Sequence, residues 1–314
     1  MYTDPRTAWA VILAGGDGTR LKSLTRLISG DARPKQFCPI LGGRTLLGET
    51  RERLGRVIPP ERTLFVVQDA HRDFYKDELA DVDPRFILTQ PSNKGTAVAI
   101  AYAISTILEF DENAVVAFFP ADHFYEDDEP FLAGVARALD MAGANQDSLM
   151  LLGAQPYSPE VEYGWIEPAS EADELARVSR FWEKPSLEHA EDLLARGCLW
   201  NTFVMIGPAR TFCDLLQAAA PALAGTMQSI VRSGGLSGRR ARRLFASLAP
   251  VDFSYQVLSL STDRLLVFRL SGVRWSDLGK PERVIETLQK AGIKPQWATS
   301  LSGAISGLAN KATA

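Results

Sequence analysis

Short apolar runs recur along the first half of the chain, and each ends in turn residues. The first run covers 9–13 and stops at the glycine-rich segment 14–20. An all-apolar run of this length is typical of a buried parallel strand, which is covered on both faces. Runs of the same character occur at 64–67, 86–88, 115–119 and 149–152.

Amphipathic helical patterns separate these predicted strands. Apolar residues recur at helical spacing in 45–57, 96–108 and 131–141. Strands that alternate with helices indicate right-handed βαβ units around a mainly parallel sheet. The sequence therefore predicts an α/β fold with a Rossmann-like, mainly parallel central sheet that is flanked by helices.

The pattern becomes less regular after residue 155. Short strands interrupted by proline and glycine, together with helices, are predicted at 163–168, 177–182, 187–196, 203–206, 209–219, 265–270 and 281–291. We interpret this part as an insertion that adds substrate contacts to the same sheet. Residues 298–314 are rich in alanine, serine, glycine and threonine, and we expect a weak helix or a loose tail there.

The glycine-rich segment carries the first chemical signal. Glycines let backbone N–H groups approach phosphate oxygens closely, and the guanidinium of Arg20 suits phosphate. The segment contains no Walker A motif, and Leu21 stands where a dinucleotide fingerprint needs its third glycine. On glycines alone a tight turn explains the segment equally well. Arg20 and the Pro-Lys-Gln-Phe sequence at 34–37 favour phosphate binding.

Composition and charge exclude several functional classes. The 314 residues are 46% hydrophobic and 23% charged, which is typical of a globular protein with a sizeable core. A net charge of -4 provides no general attraction to nucleic acid or to anionic membranes. The three cysteines lie far apart, and the N-terminal residues lack the apolar core of a signal peptide. We therefore expect a cytoplasmic protein that binds neither nucleic acid nor a membrane.

Seven segments of motif-like sequence occur in a fixed order along the chain, namely 13–21 with 34–37, 91–97, 119–123, 163–167, 181–185, 200–203 and 275–279. Together, and in this order, they resemble the signature of the sugar-phosphate nucleotidyltransferases. The Lys-Gln-Phe sequence at 35–37 is similar to the variant of the mannose-1-phosphate guanylyltransferase branch.

The resemblance implies a nucleotide-diphospho-sugar transferase fold over residues 7–295, with 296–314 as a tail of no assigned function. It also implies transfer of a nucleotidyl group from a nucleoside triphosphate to a sugar 1-phosphate, with release of pyrophosphate. GTP and mannose 1-phosphate are the expected substrates, GDP-mannose is the expected product, and Mg²⁺ is the expected cofactor. Longer relatives carry a fused isomerase domain that this sequence lacks, so we expect a single activity. A homodimer remains open.

The resemblance also assigns roles to individual residues. The metal ligands are Asp122 and Asp277, and the catalytic cations are Arg20, Lys35 and Lys184. The nucleotide-binding residues are Leu13, Ala14, Gly15, Gly16, Gly18, Thr19, Asn93, Gly95 and Thr96. The sugar-binding residues are Gly164, Glu167, Glu183 and Asn201. Without the motif series, Asp122 could equally cap a helix, and Asp277 could stabilise a turn.

Some residues depart from the family pattern. Thr202 and Phe203 follow Asn201 where the branch commonly has Ser-Gly, and Lys94-Gly95 replaces Arg-Asn. Residues 251–254 resemble the expected acidic segment only in part. Other specificities therefore remain open, namely glucose- or heptose-1-phosphate with UTP or dTTP.

Two alternatives from other classes are weaker. A non-catalytic sugar-nucleotide sensor would not need the complete set of metal ligands and cations, and a dehydrogenase would need the missing third glycine. Of the remaining polar residues, His123 is expected to have a structural hydrogen-bonding role, and His71 and His189 are expected to be exposed. The arginine-rich run 239–243 is interpreted as a solvated helix face.

Overall fold

The computed structural model describes residues 7–170 and 173–300, and its centre is a nine-stranded sheet. The strands are β1 Trp9–Leu13, β2 Thr63–Gln68, β3 Ile87–Gln90, β4 Val115–Pro120, β5 Phe124–Tyr125, β6 Leu149–Ala154, β7 Gly164–Pro168, β8 Leu175–Glu183, β9 Leu199–Pro208, β10 Leu265–Leu270 and β11 Trp275–Ser276. Strands β5 and β11 form a separate two-stranded sheet.

Helices connect these strands. They are α1 Lys22–Ser29, α2 Leu46–Leu54, α3 Arg72–Tyr75, α4 Thr96–Phe110, α5 Asp128–Ala142, α6 Leu187–Ala195, α7 Ala209–Ala219, α8 Pro221–Arg232, α9 Arg239–Ser247, α10 Phe253–Gln256, α11 Pro281–Lys290 and α12 Gln296–Ser300. Within the described part of the chain, no helix is long and apolar enough to cross a membrane.

The strand order of the large sheet is β3-β2-β1-β4-β9-β6-β10-β8-β7. The first four strands are parallel, and β9 runs antiparallel between β4 and β6. Of the strands in this sheet, β8 and β9 run opposite to the other seven. The predicted mainly parallel α/β sheet is thus confirmed. The predicted insertion is more central than expected, because β9 lies in the middle of the sheet.

Both faces of the sheet are covered, which explains the continuous apolar runs. Val11 of β1 packs into a core cluster with α4 and α7, whereas its neighbours Ala10 and Ile12 pack into a second cluster with α5. A third, smaller cluster contains Leu21, Leu24, Leu278 and Val284 among others, and it joins α1 to α11. This third cluster fixes the segment after β11 beside the glycine-rich segment.

Helix boundaries follow local capping. The Thr45 hydroxyl accepts a hydrogen bond from Gly48 N at 3.0 Å, so α2 begins at the next residue, as Ser/Thr caps predict. Helix α5 begins at Asp128, earlier than expected, because the Asp127 carboxylate accepts from Glu129 N at 3.0 Å. The side chain of Trp297 in α12 donates to Ile40 O at 3.0 Å, so the beginning of the predicted tail packs on the domain. Residues 301–314 lie outside the described residues.

The expectations for the histidines and the arginine-rich run have different outcomes. The prediction that His71 is exposed was wrong, because its ring is buried against Phe37 at 5.8 Å between centroids. His189 is half-buried and packs on Trp182 at 4.2 Å. Residues 239–243 form the beginning of α9, where Ala241 is buried and the arginines are exposed, as expected for a solvated face.

Candidate functional site

A cleft of about 400 Å³ lies where the carboxyl ends of β1 and β4 meet the segments around β7, β9 and β11. Ligands of open α/β sheets bind at this edge. Eleven of the residues that the sequence predicted line the cleft together, namely Leu13, Gly15, Gly16, Asn93, Gly95, Thr96, Asp122, Gly164, Glu183, Asn201 and Asp277.

The glycine-rich segment is held by two glutamines. Gln36 Nε2 donates to Ala14 O at 2.9 Å and to Gly16 O at 2.8 Å. Gln68 Nε2 donates to Gly15 O. Three successive carbonyl groups are therefore bound from the protein side. This fixes the conformation of the segment without any ligand.

Gly18 allows this segment to approach the Lys35 segment closely. Its φ is +58°, and a Cβ at this position would lie 2.9 Å from Lys35 N and 3.1 Å from Pro34 Cα. Any other residue would be strained here. Gly18, Thr19 and Ala14 shape the segment but do not line the cleft.

Asn93 connects the glycine-rich segment to the start of α4. Its Nδ2 donates to Asp17 Oδ2 at 2.9 Å, and its Oδ1 accepts from Gly95 N at 2.9 Å. Asp17 also accepts from Gln68 Nε2 at 3.0 Å, and its Oδ1 lies 3.7 Å from His71 Nε2. Burial lowers the pKa of His71, although the charge of Asp17 opposes the change.

The turn before α4 packs tightly on the chain at 251–253. Gly95 has φ +88°, and a Cβ there would lie 2.3 Å from Val251 O. Thr96 Oγ1 accepts from Phe253 N at 2.8 Å. Asp252 and Ser254 are thereby brought into the lining of the cleft.

The predicted metal ligands Asp122 and Asp277 meet at Lys35. The Lys35 Nζ lies 3.4 Å from Asp122 Oδ2 and donates to the backbone oxygen of Asp277, and its side chain is only 12% exposed. The pairing of β5 with β11 explains this proximity, since Phe124 lies opposite Ser276. Lys35 therefore contacts the carboxylate of Asp122 and the backbone carbonyl of Asp277, and it connects these distant parts of the sequence beside the glycine-rich segment.

The Asp277 carboxylate is tightly bound on one side. Its Oδ1 accepts from Arg283 Nη1 at 2.6 Å, Gly279 N at 2.8 Å and Tyr163 OH at 3.1 Å. Its Oδ2 has no hydrogen-bond partner among residues 7–170 and 173–300. Burial opposes ionisation, but the charges of Lys35 and Arg283 prevail and hold the pKa of Asp277 below its usual value.

His123 lies beside this pair without facing it directly. Its Nδ1 accepts from Trp275 Nε1 at 3.2 Å, and its Nε2 is 3.9 Å from Asp122 Oδ1. Burial lowers the pKa of His123 to about 4, so the ring is neutral at neutral pH. These contacts agree with the structural role expected from the sequence.

The donor set fits a Mg²⁺ ion that is shared with phosphate oxygens. No group of three or more His, Cys, Asp or Glu residues in the described ranges could hold a metal ion by itself. Mg²⁺ usually takes one or two carboxylates and completes its shell with water and substrate phosphates. Asp122 and Asp277 supply such a pair.

Two predicted catalytic cations lie at the rim of the cleft. Arg20 is in a 3₁₀ turn, its side chain is 58% exposed, and its Nη1 donates to Glu162 Oε1 at 2.9 Å. Lys184 has φ +51°, its side chain is 62% exposed, and its Nζ lies 3.3 Å from Glu183 Oε1. Of the three predicted cations, only Lys35 contacts the metal-ligand pair.

The predicted sugar-binding residues divide into two groups. Gly164, Glu183 and Asn201 lie together, because a Cβ on Gly164 would be 2.9 Å from Glu183 Oε2 and 3.4 Å from Asn201 Cβ. Burial raises the pKa of Glu183, and the charge of Lys184 partly offsets this. Glu167 is not brought to the cleft, because its carboxylate accepts from Trp182 Nε1 at 3.2 Å and Arg196 Nη1 at 2.8 Å.

Comparison with protein-family models identifies the family of this chain. Residues 9–292 match the family described as nucleotidyl transferase. The chain belongs to the nucleotidyl transferase family. This match includes every element that lines the cleft.

Two curated proteins illustrate the similarity of this nucleotidyl transferase to known sequences. It is 31% identical over 288 residues to the xanthan biosynthesis protein XanB of Xanthomonas campestris pv. campestris, covering 90% of this chain and 60% of that protein. It is 30% identical over 285 residues to a mannose-1-phosphate guanylyltransferase of Sinorhizobium fredii, covering 87% and 53% respectively. The chain thus spans less than two thirds of the length of these curated relatives.

A solved structure from Thermus thermophilus, described as a mannose-1-phosphate geranyltransferase, has a similar fold. Its TM-score is 0.79 at 27% identity, and the match covers 92% of this nucleotidyl transferase and 80% of that chain. The similarity confirms the nucleotide-diphospho-sugar transferase fold.

Several lining or supporting residues of this nucleotidyl transferase were not identified from the sequence. Glu162 and Gln90 line the cleft, and the buried Gln90 Nε2 has no partner within the described chain, so it can donate to a ligand. Gln68 and Arg283 support the cleft from behind. For Arg283 the sequence offered one signal, namely a charged residue on the apolar face of α11.

Proposed function

We propose that this protein transfers a nucleotidyl group from a nucleoside triphosphate to a sugar 1-phosphate and releases pyrophosphate. We further propose GTP and mannose 1-phosphate as substrates, GDP-mannose as product and Mg²⁺ as cofactor. The observation that carries the proposal is the meeting of Asp122 and Asp277 at Lys35, beside a preorganised glycine-rich segment.

The reaction needs positioning and charge neutralisation more than a protein nucleophile. A phosphate oxygen of the sugar 1-phosphate attacks the α-phosphorus of the triphosphate, and the bond from that phosphorus to the pyrophosphate oxygen breaks. The nucleophile is already an anion, so no general base is required. Charge stabilisation by fixed groups is then the main source of acceleration. A bound Mg²⁺ would neutralise phosphate charge between Asp122 and Asp277.

The lining of the cleft explains why cations must be supplied from its edges. Five carboxylates line it, and no lysine or arginine of the described ranges does. A triphosphate in this cleft would be repelled unless positive charge accompanied it. We assign this function to the buried Lys35, the metal ion and Arg20, which must exchange its Glu162 partner for phosphate.

The backbone of the glycine-rich segment provides neutral donors for the same anion. Because Gln36 and Gln68 hold its carbonyl groups, the N–H groups of Gly15 and Gly16 can be directed into the cleft. We assign contacts with the nucleoside part to Gln90 and Thr96, which also line the cleft. Fixed donors of this kind stabilise charge without reorganisation during the reaction.

The other end of the cleft suits a sugar. Glu183, Asn201 and the backbone of Gly164 form a compact polar surface, and such groups fix hydroxyls by directional hydrogen bonds. We assign contact with the sugar phosphate to Lys184, which is exposed next to Glu183. The choice of mannose and guanine is supported by the name of the similar mannose-1-phosphate guanylyltransferase of Sinorhizobium fredii. That name describes the relative, and we extend it to this chain as part of the proposal.

A pyrophosphate-release assay tests the proposal. Purified protein is incubated with Mg²⁺ and each combination of GTP, UTP, dTTP, CTP and ATP with mannose, glucose and heptose 1-phosphates. We expect the highest kcat/KM with GTP and mannose 1-phosphate. A preference for UTP or dTTP would reject the guanylyl assignment alone. If the protein binds sugar nucleotides but releases no pyrophosphate, the interpretation as a non-catalytic sugar-nucleotide sensor would replace the proposed enzymatic function.

A further inference from the structure

Arg283 is a buried cation just behind the Asp277 carboxylate. It lies near the beginning of α11, and its side chain is 4% exposed. It forms ion pairs with Asp277 at 2.6 Å, Glu160 at 2.7 Å and Glu162 at 2.9 Å. Its guanidinium carbon lies 4.6 Å from the centroid of the Tyr163 ring. The position of this guanidinium is therefore determined from four directions.

This arrangement determines which oxygen of Asp277 is available to a ligand. Arg283 and Tyr163 both donate to Oδ1, so rotation of the carboxylate would break two side-chain hydrogen bonds. The backbone N–H of Gly279 donates to the same oxygen at 2.8 Å. Oδ2 remains without a donor from the described residues. Asp277 can therefore offer only Oδ2 to a ligand.

We propose that Arg283 is a positioning residue for the transfer reaction, which orients Asp277 so that a single oxygen faces the divalent ion. The inference deepens the proposed function and rests on it. A planar guanidinium donates from several nitrogens at fixed angles, and this lets Arg283 bind three carboxylates at once. A lysine at position 283 would retain the charge but would lose this geometry.

Arg283 also connects the two sides of the cleft. Glu162 accepts from Arg283 through Oε2 and from Arg20 through Oε1. The orientation of Asp277 and the resting position of Arg20 therefore depend on the same buried cation. Loss of Arg283 would leave Glu160, Glu162 and Asp277 as closely spaced negative charges where a triphosphate has to bind.

Arg283→Lys tests the proposal, with Arg53→Lys as the matched control. Arg53 is also a buried arginine, pairs with Asp128, and lies 5.3 Å from the centroid of the Tyr125 ring. Neither of these two partners lines the cleft, whereas Asp277 and Tyr163 do. Direct binding of Mn²⁺ alone is measured by electron paramagnetic resonance, and unfolding is followed by circular dichroism. The Mg²⁺ dependence of kcat is measured for both variants.

We expect Arg283→Lys to weaken Mn²⁺ binding by about tenfold, the usual effect of losing a residue that orients a metal ligand. The KM for the sugar 1-phosphate should stay unchanged, and Arg53→Lys should bind Mn²⁺ like the wild type. Unchanged Mn²⁺ binding in Arg283→Lys, or equal weakening in both variants, would overturn the proposal.

Tyr163→Phe provides a second test if Arg283→Lys does not fold. It leaves Arg283 as the side-chain donor to Oδ1, so Mn²⁺ binding should weaken by less than tenfold. A tenfold or larger loss would contradict the inference, because it would assign the orientation of Asp277 to Tyr163. The substrate panel decides the proposed function separately, because turnover by the wild type does not depend on either variant. Turnover with unchanged Mn²⁺ binding in Arg283→Lys would reject only the role of Arg283.

Discussion

Replacing each predicted metal ligand by asparagine separates catalysis from folding. Asp122→Asn and Asp277→Asn keep the shape of the side chain and remove one negative charge from the cleft. If both carboxylates hold the Mg²⁺ that would neutralise charge on the reacting phosphates, each variant should lose at least about a hundredfold in kcat/KM. That loss corresponds to roughly 2.7 kcal/mol of transition-state stabilisation.

The structure predicts different effects on stability. The Asp277 side chain is 16% exposed and accepts a 2.6 Å bond from the buried Arg283, and hydrogen bonds to charged groups contribute about 1.5–3 kcal/mol. Glu160 and Glu162 still neutralise Arg283 in Asp277→Asn. We therefore expect a loss of about 2–3 kcal/mol, below the roughly 3–5 kcal/mol of a buried pair that loses its only partner.

Asp122 has a weaker structural role. Its carboxylate lies 3.4 Å from Lys35 Nζ and 3.9 Å from the neutral ring of His123. Lys35 keeps its bond to Asp277 O in Asp122→Asn, so we expect a loss of less than about 1 kcal/mol. Urea unfolding at pH 7.5 and pyrophosphate release on the same preparations compare the two variants. Near-normal activity in Asp122→Asn, or equal destabilisation by both substitutions, would refute this reasoning.

Three further predictions follow from other contacts. Gly95→Ala should lower the free energy of unfolding by at least about 2 kcal/mol in urea unfolding. The reason is that the alanine Cβ would lie 2.3 Å from Val251 O, at a residue whose φ is +88°. An unchanged free energy of unfolding would contradict the close packing of Gly95 on Val251. Glu162→Gln should lower the KM for the triphosphate about two- to fivefold by releasing Arg20 from an exposed ion pair, whereas a higher KM would argue against the exchange. Burial raises the pKa of the Cys38 thiol from 9.0 to about 11. The contribution of the protonated thiol to the free energy of unfolding is therefore complete below pH 9 and is lost as the pH rises through 11. Cys38→Ala should therefore lose less stability than the wild type between these pH values, and equal pH dependence in urea unfolding would contradict the shift.

The sequence predicted most accurately the elements that are buried on both faces and held by local contacts. The run 9–13 matches β1 residue for residue, since a strand covered on both faces has no polar position to obscure it. His71 shows the opposite case. It lies in a polar segment, and its burial depends on Phe37 and Asp17, which come from elsewhere in the chain.

The candidate site shows the same limit. Asp122 and Asp277 were linked only by the family resemblance, because the two-residue strands β5 and β11 that bring them together are too short to show periodicity. Arg283 was missed because a single arginine in an amphipathic helix usually faces solvent. Its carboxylate partners Glu160 and Glu162 belong to a loop before β7, and no local pattern connects that loop to α11.

The central position of β9 limits how the proposed substrate preference could be redesigned. Its first residues pair with β7, and its last residues pair with β4, while its other edge pairs with β6. Replacing the segment between β6 and α7, which contains β7, β8 and β9, with its counterpart from another nucleotidyl transferase would therefore break main-chain bonds to β4, β6 and β10. Exchange of this whole segment is therefore a poor way to alter the protein. Side-chain libraries at Glu183 and Asn201 leave that hydrogen-bond ladder intact.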